Sequence, residues 1–301
     1  MTNSTSQTSL ILPVRLTGLL LSCINLFVFS GLGQEISRTL AYVTRADSIL
    51  TLDVYEPNPN QKQPDAPLIL FAHGGGFSSG SKDAPKNVAF CKALANKGFQ
   101  VVSVNYRLRQ KGQGFHCDVS IEDKRAAIRM AAEDIISALD FMLSGLGNGA
   151  ILSGSSAGAE AALFAAFHLH SPHIRGVMSF AGALEEPEHW KTHIPLLAFH
   201  GTCDALVPFD RAIHHFCAES TPGALELVGS GALAQQLPQV RLLAFENGGH
   251  ELASGLLTDP AAWKECETFI GALTEGRPIG GVETSILKQA CNLPQAPTYR
   301  P

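Results

Sequence analysis

Three observations predict an α/β fold with a mostly parallel, eight-stranded sheet, helices on both faces and no large lid. Short unbroken apolar runs of strand length recur along the chain, and segments with helical spacing separate most of them. The third is that 301 residues with 45% hydrophobic content can bury one large core. Unbroken runs mark strands covered on both sides, as helices flanking a parallel sheet would cover them.

In order, Arg38 to Val43 and Ile49 to Tyr55 read as two short strands around a turn, and the Pro-, Asn- and Gln-rich stretch 57–67 reads as a surface connector. Leu68 to Ala72 is the first doubly buried strand. Similar runs follow at Val101 to Tyr106, Ala150 to Ser153, Val177 to Ala181, Leu196 to Phe199 and Arg241 to Phe245. Helices are predicted at Asn87 to Lys97, Ile121 to Leu143, Ala157 to His168, Arg211 to Ala218, Ala232 to Leu237 and Ala261 to Leu273. No internal repeat and no second domain is visible, so residues 34–301 read as one domain ending in a Gly- and Pro-containing tail, 276–301.

Charged residues make up 16% of the chain and the net charge is −5. No basic stripe exists to displace counterions from phosphates, which excludes nucleic acid as a partner, and the apolar content excludes disorder. The first 34 residues contain no Asp or Glu and one side-chain charge, Arg15, followed by an apolar run from Leu16 to Phe29 and the small residues Ser30, Gly31 and Gly33. This is the layout of a signal peptide over 1–33, cleaved after Gly33, and it predicts a secreted or periplasmic protein with no membrane span once the signal is removed. An uncleaved anchor ranks below it, because the run is short for a span of about 20 residues and contains Asn25. A lipoprotein box, Leu20-Leu21-Ser22-Cys23, ranks lower still, because the apolar run continues past Cys23 where a polar tether belongs.

Beyond the signal lie Cys91, Cys117, Cys203, Cys217, Cys266 and Cys291, an even number that favours disulfides in an exported protein. The simplest expectation pairs sequence neighbours: Cys91 with Cys117, Cys203 with Cys217, and Cys266 with Cys291. Buried thiols are the plain alternative. No CxxC spacing supports a zinc site.

In an open parallel sheet, reactive groups gather where strands end. The strand ending at Ser153 runs into Gly154-Ser155-Ser156-Ala157-Gly158 and an Ala-rich helix, a nucleophile elbow that exposes the Ser156 hydroxyl. Gly76 to Gly80 fits the same GxSxG pattern at Ser78 but lacks the strand and helix, so Ser78 reads as a loop residue. The strand at Leu196 to Phe199 leads to Asp204, and the last strand leads to Gly248-Gly249-His250. A serine hydroxyl needs an imidazole to take its proton, and the imidazole needs a carboxylate to hold its tautomer. Ser156, His250 and Asp204 supply the three, ahead of the rival acids Asp210 and Glu246. After the first buried strand, His73-Gly74-Gly75-Gly76-Phe77 reads as an oxyanion loop, its glycine amides converging with that of Ala157. His168, His170, His214 and His215 have spacings that favour surface or packing roles over metal binding.

With HGGGF, GSSAG, HGTCDxxVP and GGHE in this order, and Asn105-Tyr106-Arg107-Leu108 at a strand end, the chain resembles the carboxylesterase and esterase/lipase branch of the α/β-hydrolase superfamily from about Val43 to Leu273. The resemblance implies Ser156 as nucleophile, His250 as base, Asp204 as acid and the amides of Gly75, Gly76 and Ala157 as oxyanion donors, with no cofactor and no metal. It departs at Ala159 and Glu160, where a glycine often stands after Gly158. The implied reaction is ester hydrolysis through an acyl-enzyme. The stretch from Gly182 to Pro195 is short and no helical cap precedes the sheet, which predicts an open site for short-chain or sugar-linked esters, with the Phe115 loop and the Gly223 to Gly231 segment as the parts able to fold over it. A peptidase or amide hydrolase of the same fold is the nearer alternative; a non-catalytic hydrolase-like binding module is the more distant one.

Overall fold

The fold is that of a computed structural model, which describes Met1 and residues 38–46, 48–144, 148–190, 194–291 and 293. The segment 1–33 read as a signal peptide, Cys23 included, lies outside the described residues apart from Met1. The elements below belong to the compact unit Gly33–Pro301.

Strands β1 (Arg38–Arg45) and β2 (Ser48–Tyr55) form an antiparallel hairpin, followed by β3 (Leu68–Ala72), α1 (Pro85–Ala95), β4 (Val101–Val104), α2 (Ile121–Leu143) and β5 (Ala150–Ser155). Helix α3 (Ala157–Phe164) continues into a wider turn over Ala165–Leu169, and β6 (Ile174–Phe180), β7 (Ala183–Leu184) and β8 (Leu196–Gly201) follow. Then come β9 (Arg211–Ile213), β10 (Glu226–Gly229), α4 (Ser230–Gln236), β11 (Val240–Glu246), α5 (Leu252–Gly255), α6 (Pro260–Glu275) and β12 (Gly281–Ile286).

Among the described residues the main sheet has nine strands in the order β1-β2-β4-β3-β5-β6-β8-β11-β12, parallel from β4 to β12. From β3 the chain turns one way to β4 and later the other way to β5. The carboxyl ends of β3 and β5 therefore flank the crevice where open sheets place their ligands. One core packs α2, α3 and α4 on one face, and a second packs α1 and α6 on the other.

Local chemistry explains the helices. Ser120 caps α2 by accepting from the Asp123 amide at 3.1 Å, and Ala127, Ala131, Ile135, Ala138 and Met142 make its buried stripe. Pro85 and Pro260 start α1 and α6, and Gly276 ends α6 in the left-handed region. Helix α3 is buried on every side, so small residues fill it.

The structure corrects three expectations. The sheet has nine strands, not eight. The ninth, β12, comes from the segment read as a tail and pairs with β11 from Arg241↔Gly281 to Glu246↔Ile286; all six of its residues are exposed, so no apolar run marks it. The helix expected from Arg211 to Ala218 is absent. There β9 pairs with β10, and the amides of His214 and His215 donate to the carbonyls of Leu225 and Leu206 instead of along a helix. The disulfides are Cys117–Cys217 and Cys203–Cys291, not the sequence-neighbour pairs. Cys91 and Cys266 are free and fully buried on the inward faces of α1 and α6, remote from Cys117 and Cys291 because those lie on surface loops.

Candidate active site

Ser156 stands between β5 and α3 with φ 53° and ψ −123°, a strained conformation for a residue with a side chain. Its amide donates to the Phe180 carbonyl at 2.9 Å, which ties the elbow to the end of β6. The turn demands glycine nearby: a Cβ on Gly158 would lie 2.2 Å from the Ala72 carbonyl oxygen, so α3 reaches β3 only without one.

The Ser156 Oγ lies 2.8 Å from His250 Nε2, and His250 Nδ1 lies 2.7 Å from Asp204 Oδ2. This spacing fits one tautomer, with Nδ1–H donating to the carboxylate and Nε2 free to accept from the serine hydroxyl. Asp204 is fully buried after β8, and its Oδ1 accepts the amides of Leu206 and Val207, each at 2.9 Å. Burial pushes the Asp204 carboxyl up, but hydrogen bonds from His200 and His250 outweigh it and hold the group well below the usual carboxylate range. For His250, burial lowers and Asp204 raises, and the net shift is upward.

The glycine loop expected to face an oxyanion follows β3. Gly75 has φ +119°, and a Cβ there would meet the Ser79 carbonyl oxygen at 2.2 Å, so this position requires glycine. The amides of Gly75, Gly76 and Ala157 have no acceptor among the described residues, which leaves all three available to a ligand oxygen. Tyr106, from the Asn-Tyr-Arg-Leu segment, donates its hydroxyl to the His73 carbonyl at 2.7 Å, and Asn105 Oδ1 accepts the Lys82 amide at 2.8 Å. Ser78 Oγ donates to the Gly75 carbonyl within the same turn. Asp210 and Glu246 are exposed.

A cavity of about 770 Å³ opens over Ser156. Phe115, His116, His214 and His215 line one part of it, Phe115 meeting His214 edge-on at 5.2 Å and Cys117–Cys217 joining the two loops, and the starts of α1 and α3 with α5 line much of the rest. The sequence reading finds Ser156, Asp204, His250 and the glycine loop, and the structure brings them together. It misses four residues. His214 is buried against the cavity, His215 lines it, and Glu160 sits in its wall one helical turn after Ser156. His200 is fully buried, with Nε2 3.1 Å from the Val207 carbonyl and 3.5 Å from Asp204 Oδ2. The available signal was Glu160 itself, a charged residue inside an otherwise apolar helix. Among the described residues no group of three or more His, Cys, Asp or Glu is placed to hold a metal ion.

The BD-FAE family model matches residues 52–188. The neuroligin-like protein glit-1 of Caenorhabditis elegans is 28% identical over 165 residues, 52% of this chain, and the chain spans 21% of that protein's length. An esterase of Thermogutta terrifontis, solved with butyrate bound, superposes with a TM-score of 0.54 at 17% identity, over 80% of this chain and 95% of its own. A puromycin-hydrolyzing peptidase of Mycobacterium tuberculosis gives a TM-score of 0.53 at 19% identity, over 82% of this chain and 40% of its own.

Proposed function

We propose, from the α/β-hydrolase fold of the esterase type that this chain has, that it is a serine hydrolase cleaving carboxylic esters through an acyl-enzyme. The observation that carries this reading is the continuous chain from Ser156 Oγ through His250 to Asp204, at 2.8 and 2.7 Å, beside three unpartnered amides.

In this reading Ser156 attacks the ester carbonyl as His250 Nε2 takes its proton, and Asp204 stabilises the imidazolium that forms. The carbonyl oxygen becomes an oxyanion facing the amides of Gly75, Gly76 and Ala157. His250 then gives its proton to the departing alcohol, and water reverses the sequence to release the acid. A cavity of about 770 Å³ walled by the Phe115 and His214 loops and the ends of α1, α3 and α5 favours short acyl chains or esters of bulky alcohols, sugar-linked ones included. Two disulfides are compatible with an oxidising compartment, in line with residues 1–33 as an export signal. Among the described residues no helix is long and apolar enough to cross a membrane.

A p-nitrophenyl ester series from acetate to palmitate, assayed beside Ser156→Ala, tests the reading. Activity concentrated at acetate and butyrate and abolished by the substitution supports it, and activity that survives the substitution overturns the nucleophile assignment.

A further inference from the structure

Glu160 is a carboxylate where the fold has no evident use for one. It is 2% exposed on helix α3, where the seven other residues are Ala, Gly, Leu or Phe, and it borders the cavity over Ser156. Burying a carboxylate is costly unless it is paired and hydrogen-bonded. Its Oε1 accepts no hydrogen bond from the protein. The nearest cationic candidate, His214, has Nε2 3.2 Å away but outside hydrogen-bonding geometry, and its Nδ1 is also buried without a partner. An imidazolium at His214 would therefore bury a second N–H with no acceptor.

The other neighbours do not supply the missing partner. Lys124 acts on Glu160 through its charge, but its Nζ donates to the Gly223 carbonyl at 2.7 Å and sits over the Phe115 ring. His215, its ring tilted against that of His214 at 4.3 Å, is held neutral by burial first and by His214, Lys124 and His250 after it, its pKa pushed down to about 3. His250 is engaged with Asp204 and Ser156. A carboxylate in a ligand cavity with one unpartnered oxygen, one turn of helix from the nucleophile, is an acceptor waiting for a donor.

We propose that Glu160, with His214 beside it, forms a subsite for a substrate ammonium group and selects esters that carry a primary amine close to the scissile carbonyl. The Glu160 amide donates to the Ser156 carbonyl at 2.9 Å and both residues line one cavity, so a single small substrate can present an ammonium to Glu160 and a carbonyl to Ser156. The charge-assisted hydrogen bond would compensate the buried carboxylate only when the correct substrate is present. A neutral isostere would leave it unpaired, which is how a polar pocket discriminates. The subsite rests on the ester-hydrolase reading and specifies its substrate class; the amine can belong to the acyl or the alcohol half.

The test compares kcat/KM at pH 6.5, by acid release, for methyl 2-aminobutanoate against methyl 2-hydroxybutanoate, and for 2-aminoethyl butanoate against 2-hydroxyethyl butanoate, with methyl butanoate as reference. At least one ammonium ester is expected to exceed its hydroxyl counterpart ten-fold or more in the wild type, and E160Q is expected to cut that ratio ten-fold or more. The arm that responds identifies which half carries the amine. Ratios near one for both pairs in the wild type overturn the proposal, whether or not E160Q folds, as does a ratio that E160Q leaves unchanged. Failure of the ester-hydrolase reading looks different: methyl butanoate itself is not cleaved. In that case calorimetry with butylammonium and butanol decides the subsite, which requires ten-fold tighter binding of the ammonium and its loss in E160Q; equal binding of the two overturns it.

Discussion

Tyr106 donates its hydroxyl to the carbonyl oxygen of His73 at 2.7 Å while its ring stacks on the His73 imidazole, centroids 4.4 Å apart. A residue just beyond β4 thus fixes the start of the glycine loop that follows β3. Burial keeps the His73 ring below its ordinary pKa, so the stack is with a neutral imidazole at neutral pH. Tyr106→Phe keeps the stack and removes one donor from a buried carbonyl, at a cost of about 1–3 kcal/mol in stability. If the loop binds the oxyanion as proposed, and not the rest of the substrate, kcat is expected to fall about ten-fold with KM nearly unchanged. Steady-state kinetics on a short-chain ester, beside a melting curve, checks this; a loss confined to KM would contradict it.

The pH dependence follows from His250. Burial favours its neutral form, but the hydrogen bond and charge of Asp204, with smaller contributions from Glu160 and Glu251, raise its pKa above the ordinary value of about 6.5. A base must be neutral to accept the Ser156 proton, so kcat/KM is expected to rise with pH through a midpoint above about 6.5. Asp204→Asn removes the main raising influence and leaves burial. The midpoint should then move down, with activity reduced by roughly 10³–10⁴-fold from loss of the tautomer and of imidazolium stabilisation. A midpoint that moves up in Asp204→Asn would contradict the assignment. The raised pKa also stabilises the folded state at pH below about 6.5, and that contribution is lost as pH climbs through the folded value.

Much of the fold was legible because its signals are local. Unbroken apolar runs mark β3, β4, β5, β6 and β8, and in an open sheet the residues after such runs converge, so Ser156, Asp204 and His250 could be found by position. What was illegible depends on partners distant in sequence. Strand β12 is wholly exposed and is a strand only because the edge of β11 is open to it. The segment from Arg211 has helical spacing, but Arg211–Ile213 pairs with β10 and only one tight 3-10 turn, His214–Phe216, follows before the bond from Cys217 to Cys117. The inward-facing His214 and the isolated carboxylate of Glu160 belong to no linear motif, since their meaning comes from the cavity they share.

Cys203 immediately precedes Asp204, and its disulfide to Cys291 brings the segment after β12 onto the loops of the candidate site. Gln289 strengthens the clasp, its Nε2 donating to the Asn247 carbonyl at 2.7 Å and to Glu251 Oε1 at 3.0 Å on either side of His250. The bond closes a span of 88 residues. On the chain-entropy estimate its loss costs up to about 4.6 kcal/mol, or roughly 10 °C in Tm for a domain of this size. Replacing both cysteines by serine is therefore expected to lower Tm and to lower kcat/KM, as Asp204 and His250 lose a shared restraint. Unchanged activity and Tm in the double variant would show that the tail does not hold these loops.

Asp134 is a fully buried carboxylate on α2 that accepts from Arg107 Nε and Nη2, each at 2.8 Å, from the Arg107 amide at 3.0 Å, and from Arg45 Nε at 3.2 Å. It joins α2 to β1 and to the Asn105–Arg107 segment, and so supports Tyr106 from behind. Removing one partner of a buried ion pair commonly costs about 3–5 kcal/mol, because the other charge is stranded. Here the arginine side chains remain 26% and 32% exposed and can turn to water, so Asp134→Ala is expected at the lower end, about 3 kcal/mol. Urea unfolding measures it, with the midpoint falling and the slope unchanged if only the folded state is affected. Activity should fall with stability, in kcat more than KM, because the route from Asp134 to the chemistry runs through Tyr106 and the glycine loop. A stability loss under about 1 kcal/mol would mean that the two guanidiniums rehydrate without disturbing β1 or α2.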